Sequence, residues 1–199
     1  LNLPDNYTLS RLSIEDEKTL RSFNCYNEKE YSKLEPRTKK RLSKITKEMN
    51  SFLVKEAYIE QESALNTTFL LYHNRDLAGY ISLCADSIKL QLKERDSDNI
   101  PYETIPSLKV ARLAISKDFQ KKGLGKLLLK YSIYKALLMR KDFCGIKFLT
   151  LDCFQHRLSY YEALGFKKNL NQDVRDLGVN FAPISLRLHI DNFLESQDF

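Results

Sequence analysis

Lys121, Lys122, Gly123, Gly125 and Lys126 fall within six consecutive residues and combine what a phosphate site needs. The first turn of an α-helix leaves several backbone N–H groups without acceptors and carries the positive end of the helix dipole. Glycine removes side chains that would block an approach, and lysine adds charge, so the pattern suits a pyrophosphate. Glycine costs roughly 1 kcal/mol against alanine inside a helix, so two at a helix entrance need a reason. The alternative is a tight turn with solvated lysines. Two familiar phosphate loops are excluded by spacing: the Walker pattern G-x-x-x-x-G-K-[ST] is absent, and Leu128 stands where G-x-G-x-x-G requires its third glycine. Cys25, Cys84, Cys144 and Cys153 form no C-x-x-C pair, and His73, His156 and His189 are scattered. No metal site is expected.

The elements around the turn follow from hydrophobic periodicity. KVARLAI reads as a buried strand, the turn comes next, then a helix over residues 124–140 and the strand IKFLTLDC. Together they form one right-handed crossover. Upstream, TTFLLYH and DLAGYISLCA flank NRD as an antiparallel hairpin, and NYTLSRL alternates like a short strand. Ser13, with Asp16 three residues on, predicts an N-cap opening a helix over residues 14–23. Leu42, Ile45, Met49, Phe52, Leu53 and Ala57 recur at three- and four-residue spacing. They predict a long amphipathic helix over residues 37–61, with Pro36 in its first turn. Residues 86–109 are polar, contain Pro101 and Pro106, and read mostly as a long connection. A short helix over residues 155–164 closes on Gly165, ISLRLHI is a last strand, and residues 191–199 are expected to form a flexible tail.

Helices interleaved with strands on one core make this an α/β or α+β sheet protein, read as a single domain over residues 1–199. The 199 residues, 43% hydrophobic and 29% charged, have an ordinary globular composition. No apolar run reaches the roughly 20 residues of a membrane span, and no signal-peptide pattern is seen. Buried thiols in a reducing cytoplasm are expected. The net charge of +6 suits a phosphate-bearing partner.

VARLAISKDFQKKGLGKLLL resembles the acyl-CoA-binding motif of the GNAT family of N-acetyltransferases: a strand, then Q/R-x-x-G-x-G/A, then a helix. Here the motif runs Gln120, Lys121, Lys122, Gly123, Leu124, Gly125. The family's second signature, Y-E-x-x-G-F at the end of a short helix, is matched by Tyr161, Glu162, Ala163, Leu164, Gly165 and Phe166. The two lie about 40 residues apart with a strand between them. Residues 63–88 followed by 105–116 are similar to one branch, the toxins that acetylate the amino group of aminoacyl-tRNA. Phe23, Asn24, Cys25 and later Asn50, Ser51, Phe52, Leu53 fit that branch's early elements. Residues 26–48 look like an insertion relative to the toxins. Phe154 and Arg157 stand where many members carry asparagine and alanine.

The resemblance implies a GNAT-like fold, with a mixed central β-sheet flanked by helices and an inserted basic helix near the N-terminus. It implies an acetyltransferase that uses acetyl-CoA as acetyl donor. Backbone groups around Leu113, Ala114 and Ile115 would meet the pantetheine arm, and residues 120–126, including Leu124 and Lys126, would hold the pyrophosphate. Tyr161 would face the sulfur and stabilise or protonate the leaving thiolate; otherwise it is a packing tyrosine beside Tyr160 and Phe166.

The attacking amine must be neutral. At pH 7 an α-amine of pKa near 8 is about 10% neutral and a lysine side chain about 0.04%, a gap of roughly 3 kcal/mol. A lysine acceptor therefore needs a base, for which Asp152, Glu103 and a water chain are the candidates. The leading expectation is transfer to a primary amine of a small molecule, peptide or protein. Aminoacyl-tRNA is the alternative acceptor, and a non-catalytic acyl-CoA-binding module is the alternative from another class. Lys33, Arg37, Lys39, Lys40, Arg41, Lys44 and Lys47, interrupted only by Glu35, could track a nucleic-acid backbone or form a solvated helix face. The sequence favours the solvated face and leaves monomer or homodimer open.

Overall fold

A computed structural model describes residues 2–170 and 183–195. The chain begins with β1 (Tyr7–Arg11), α1 (Glu17–Leu20), α2 (Glu28–Tyr31), α3 (Pro36–Lys55) and α4 (Ala57–Glu62). The hairpin β2 (Thr67–His73) and β3 (Asp76–Lys89) follows, then α5 (Leu92–Asp98) and β4 (Thr104–Ile115). After these come α6 (Leu124–Asp142), β5 (Phe148–Cys153), α7 (Leu158–Glu162), β6 (Lys167–Lys168), β7 (Ile184–His189) and α8 (Ile190–Glu195). The described strands form one mixed sheet in the order β1-β2-β3-β4-β5-β7-β6, flanked by helices. The α/β expectation holds. No helix among the described residues is long and apolar enough to cross a membrane.

The chain divides into two compact units. The first comprises Leu1–Leu83 and Arg112–Tyr131. Its strands β1, β2 and β3 pair antiparallel, with Asn74 in the left-handed region (φ 55°) turning the hairpin. Pro36 occupies the first turn of α3, as the spacing predicts. The apolar stripe of α3 supplies Phe52 and Leu53 to a core with Phe23, Cys25, Leu70 and Tyr80. The Tyr80 hydroxyl, buried with its ring, donates to the Met49 carbonyl at 2.9 Å. The long helix expected over residues 37–61 is two helices, interrupted at Glu56 (φ −117°) before α4. The helix expected over residues 14–23 is a 3-10 turn followed by the four residues of α1, with the Asp16 carboxylate accepting the Ser13 N–H at 2.8 Å.

The second unit comprises Cys84–Ala111 and Ser132–Phe199. Residues 107–110 of β4 pair parallel with 148–151 of β5, and β5 and β6 both pair antiparallel with β7. The expected long connection over residues 86–109 is corrected here: β3 runs on to Lys89, α5 forms, and β4 starts at Thr104. Its anchor is Glu94, 3% exposed, which pairs with Arg187, 5% exposed, at 2.5 Å. The same carboxylate accepts the N–H groups of Leu170 and Gln91, while Arg187 also donates to the Lys168 carbonyl. A buried pair so enclosed is costly to break, because the remaining charge loses its partner without regaining water. Glu94→Ala is expected to lower the free energy of unfolding by about 3–5 kcal/mol in urea titrations; a loss below about 1 kcal/mol would show that α5 is held by something else. The flexible tail expected over residues 191–199, of which 196–199 lie outside the described residues, is corrected for residues 191–195. There α8 is helical, Phe193 is buried, and Asp191 pairs with Arg140 at 2.5 Å and Lys147 at 3.2 Å. Cys25 and Cys153 are buried as expected, but Cys144 is exposed.

Candidate active site

β4 delivers the chain to the glycine turn in the first unit. Its end is fixed by Gly79: a Cβ there would lie 2.7 Å from Ile115 Cδ1 and 2.9 Å from the Ala114 carbonyl oxygen, so only glycine lets β3 approach. The Ser116 N–H then donates to the Ala78 carbonyl at 2.8 Å. In a strand, successive residues aim their backbone groups at opposite edges. Ala114 and Ser116 therefore face β3, and Leu113 aims its N–H and C=O at the other edge. That edge lies past Val110, where the parallel register with β5 ends. The Ile115 carbonyl on the same edge already accepts the Gln120 side-chain amide at 3.0 Å. Of the three expected arm-binding residues, Leu113 is thus the one whose backbone groups open outward.

The turn itself runs through a 3-10 segment, Lys117–Phe119, and an extended Gln120 (φ −66°, ψ 157°). Lys121 and Gly123 follow in the left-handed region, with φ 63° and 80°. The Gly123 carbonyl accepts the Leu127 N–H at 3.1 Å, making Gly123 the N-cap of α6. The N–H groups of Leu124, Gly125 and Lys126 then lie in the first turn, where an α-helix supplies no acceptor. Glycine at 123 has a conformational reason the sequence did not show: its φ strains any L residue, while a Cβ would meet nothing within 4 Å. The approach to the helix end is open. Around it, Lys121, Lys122 and Lys126 are exposed, Lys121 lies 3.7 Å from Glu30, and Lys122 sits over the Phe119 ring at 5.0 Å.

Gln120 does something the motif did not reveal. Its Nε2 donates to the carbonyls of Cys25 (2.9 Å) and Ile115, and its Oε1 accepts from Asn27 Nδ2 at 3.0 Å. The side chain ties the turn to residues 24–27. Asn50 on α3 holds that segment from the other side, accepting the Cys25 N–H and donating to Asn24 Oδ1, both at 3.1 Å. The early Asn24-Cys25 and Asn50 elements thus meet in space. Sequence reasoning missed Asn27, whose only local signal is its place as N-cap of α2.

Tyr161 lies in the second unit, and its signature is a helix stop. Phe166 N–H donates to the Tyr161 carbonyl and Gly165 N–H to that of Glu162, at 3.1 and 2.9 Å, with Gly165 at φ 91°. This is a Schellman ending, in which an apolar contact between its first and last residues is common. Tyr161 and Phe166 make that contact, edge to face at 5.6 Å. The spacing of Y-E-x-x-G-F therefore fixes the ring's orientation as well as the turn. Burial, aided by Tyr160 and Cys153, pushes the Tyr161 phenol up to about 12, while Arg157 pulls the other way. The hydroxyl keeps its proton throughout the neutral range.

Neither carboxylate candidate is arranged as a dedicated base. Asp152 is 2.8 Å from Lys109 Nζ. Burial opposes the Lys109 charge, but Asp152 outweighs it and raises the Lys109 pKa, so the ammonium stays in place. Glu103 is exposed.

A family model described as an acetyltransferase (GNAT) domain matches residues 25–188. Among solved structures, a tyrosine-to-phenylalanine mutant of KacT superposes with a TM-score of 0.72 at 17% identity, covering 96% of this chain and 99% of that one. AtaT complexed with acetyl-methionyl-tRNA gives 0.70 at 18%, covering 95% and 98%. A mutant AtaT toxin bound to the C-terminus of the antitoxin AtaR and acetyl-CoA gives 0.66 at 18%, covering 97% and 100%. At these identities the likeness is one of fold.

Proposed function

This chain belongs to the acetyltransferase (GNAT) family, and from that premise we propose that it carries the acetyl group of acetyl-CoA to a primary amine of a small-molecule, peptide or protein acceptor. It is an N-acetyltransferase with acetyl-CoA as donor. The observation that carries the reading is the open helix end at Gly123, ringed by Lys121, Lys122 and Lys126 and following directly on the outward-facing backbone of Leu113. In this reading the α6 N-terminus holds the pyrophosphate, and Leu113 pairs with the arm in the manner of an added strand. Tyr161 donates to the sulfur as charge develops there. Thiol release from acetyl-CoA, measured against a panel of primary amines, tests it. Release that no amine accelerates would overturn it.

A second acceptor, the α-amine of aminoacyl-tRNA, is favoured by one feature of the first unit. Arg37, Lys40, Lys44 and Lys47 recur at three- and four-residue spacing and are all exposed, opposite the buried Leu42 and Phe52. AtaT, similar in fold, is seen with an acetylated aminoacyl-tRNA, and Asp152, already paired with Lys109, suits an acceptor that needs little help losing its proton. Under this reading tRNA affinity falls with salt at a slope of about −0.7 to −0.9 per phosphate contact. Replacing Arg37, Lys40, Lys44 and Lys47 by glutamine then flattens the slope and leaves acetyl-CoA binding alone. A solvated face gives no saturable tRNA binding at about 0.15 M salt in either protein.

A further inference from the structure

We propose that Gln120 is a positioning residue for the donor: its side chain holds the glycine turn in its phosphate-binding shape, through Asn27 and the Cys25 carbonyl, without touching the ligand. The inference rests on the reading of this turn as the pyrophosphate site.

Lys121, directly after Gln120, is a non-glycine residue in the left-handed region at φ 63°. Such a conformation is strained and persists only where neighbours impose it. Gln120 is the neighbour that does so. Its amide donates to the last carbonyl of β4 and to Cys25, and its carbonyl accepts from Asn27, so three hydrogen bonds fix the residue before the bend. The far ends are themselves held. Asn27 Oδ1 caps α2 by accepting the Glu30 N–H at 3.2 Å, Asn50 holds Cys25, and the Asn24 carbonyl accepts the Lys117 N–H at 2.8 Å. The N–H groups of the turn are thereby aimed before any ligand arrives. Preorganisation of this kind removes an ordering cost from binding.

The relay also has a direction. Gln120 must both donate to the carbonyls and accept from Asn27. Arginine can replace the donors but turns a cation toward the Asn27 amide. Asn27→Asp restores an acceptor there and keeps the cap of α2, since aspartate is as good an N-cap as asparagine.

The test measures acetyl-CoA affinity by calorimetry and that of acetylpantetheine, which keeps the thioester and arm but lacks the diphosphate, by displacement. Gln120→Ala is expected to weaken acetyl-CoA binding about 10-fold and acetylpantetheine less than about twofold. Gln120→Arg should weaken acetyl-CoA similarly, and Gln120→Arg with Asn27→Asp should return it to within about threefold of the parent. Equal losses for both ligands, or a loss for neither, would overturn the positioning role. If Gln120→Ala does not fold, the arginine pair decides: recovery in the double variant supports the relay, and its failure overturns it. A parent protein that binds acetyl-CoA no more tightly than acetylpantetheine would remove the phosphate reading itself, and the inference with it.

Discussion

Tyr161→Phe is expected to lower kcat about 10²-fold while acetyl-CoA affinity stays within about twofold. The variant keeps the ring, its edge-to-face contact with Phe166 and the Schellman ending, so the hydroxyl alone is removed. The phenol sits at about 12, whereas a free thiol lies near 8.5. Handing the proton over completely would be uphill. Donating a hydrogen bond to the sulfur as it becomes negative is not, and a donor aimed at developing charge is typically worth about 10²–10³ in rate. The pH dependence follows with a definite sign. A phenol raised to about 12 stays protonated below that value and is lost only as pH rises through it. Between about pH 7 and 10 the kcat/KM profile should therefore rise with deprotonation of the acceptor amine and show no fall due to Tyr161. Turnover within about twofold of the parent in Tyr161→Phe, or a descending limb near pH 9 that the variant abolishes, would remove Tyr161 from the chemistry.

The strands, the hairpin and the crossover were legible because each carries its own period. β2 and β3 alternate around an Asn-Arg turn, and the apolar run of β4 leads straight into a glycine that only a bend can use. The polar stretch after β3 was not legible, because its determinant is a buried carboxylate. Glu94 looks like any surface glutamate until Arg187, far along the chain, is brought to 2.5 Å. No local pattern encodes that pair. The break at Glu56 escaped for the opposite reason: the apolar spacing runs unbroken from α3 into α4, and only the backbone shows the interruption.

At the site, the motif marks the turn but carries an incomplete reason for its residues. Gly123 is glycine because of its φ, with open space where a Cβ would be. Gln120 stands first in the motif, yet its side chain faces the protein. Its partners Asn27 and Cys25 lie more than ninety residues away in sequence. A pattern over neighbouring residues cannot display such a link. The same holds for Leu113, singled out from Ala114 and Ile115 only by which strand edge its backbone faces.

Gly123→Asp is expected to abolish acetyl-CoA binding, weakening it at least about 10²-fold, while the protein stays folded at a cost in stability of about 1 kcal/mol from the left-handed φ. The position is exposed, and a Cβ meets nothing within 4 Å, so the side chain has room. The left-handed φ of 80° is a strain for most residues, but aspartate and asparagine tolerate it best. Gly123 is also the N-cap of α6, where aspartate and asparagine both satisfy first-turn N–H groups. The aspartate carboxylate would then occupy, within the chain, the place proposed for the pyrophosphate, and would repel the dianion. Gly123→Asn has nearly the same shape and the same cap without the charge. It should lose no more than about 10-fold in affinity, so the ratio between the two variants isolates electrostatics from strain. Calorimetry with acetyl-CoA, with thermal unfolding as the control for fold, reads that ratio directly. Equal affinities in two folded variants would mean that no phosphate approaches the α6 N-terminus, and the donor would have to be held elsewhere.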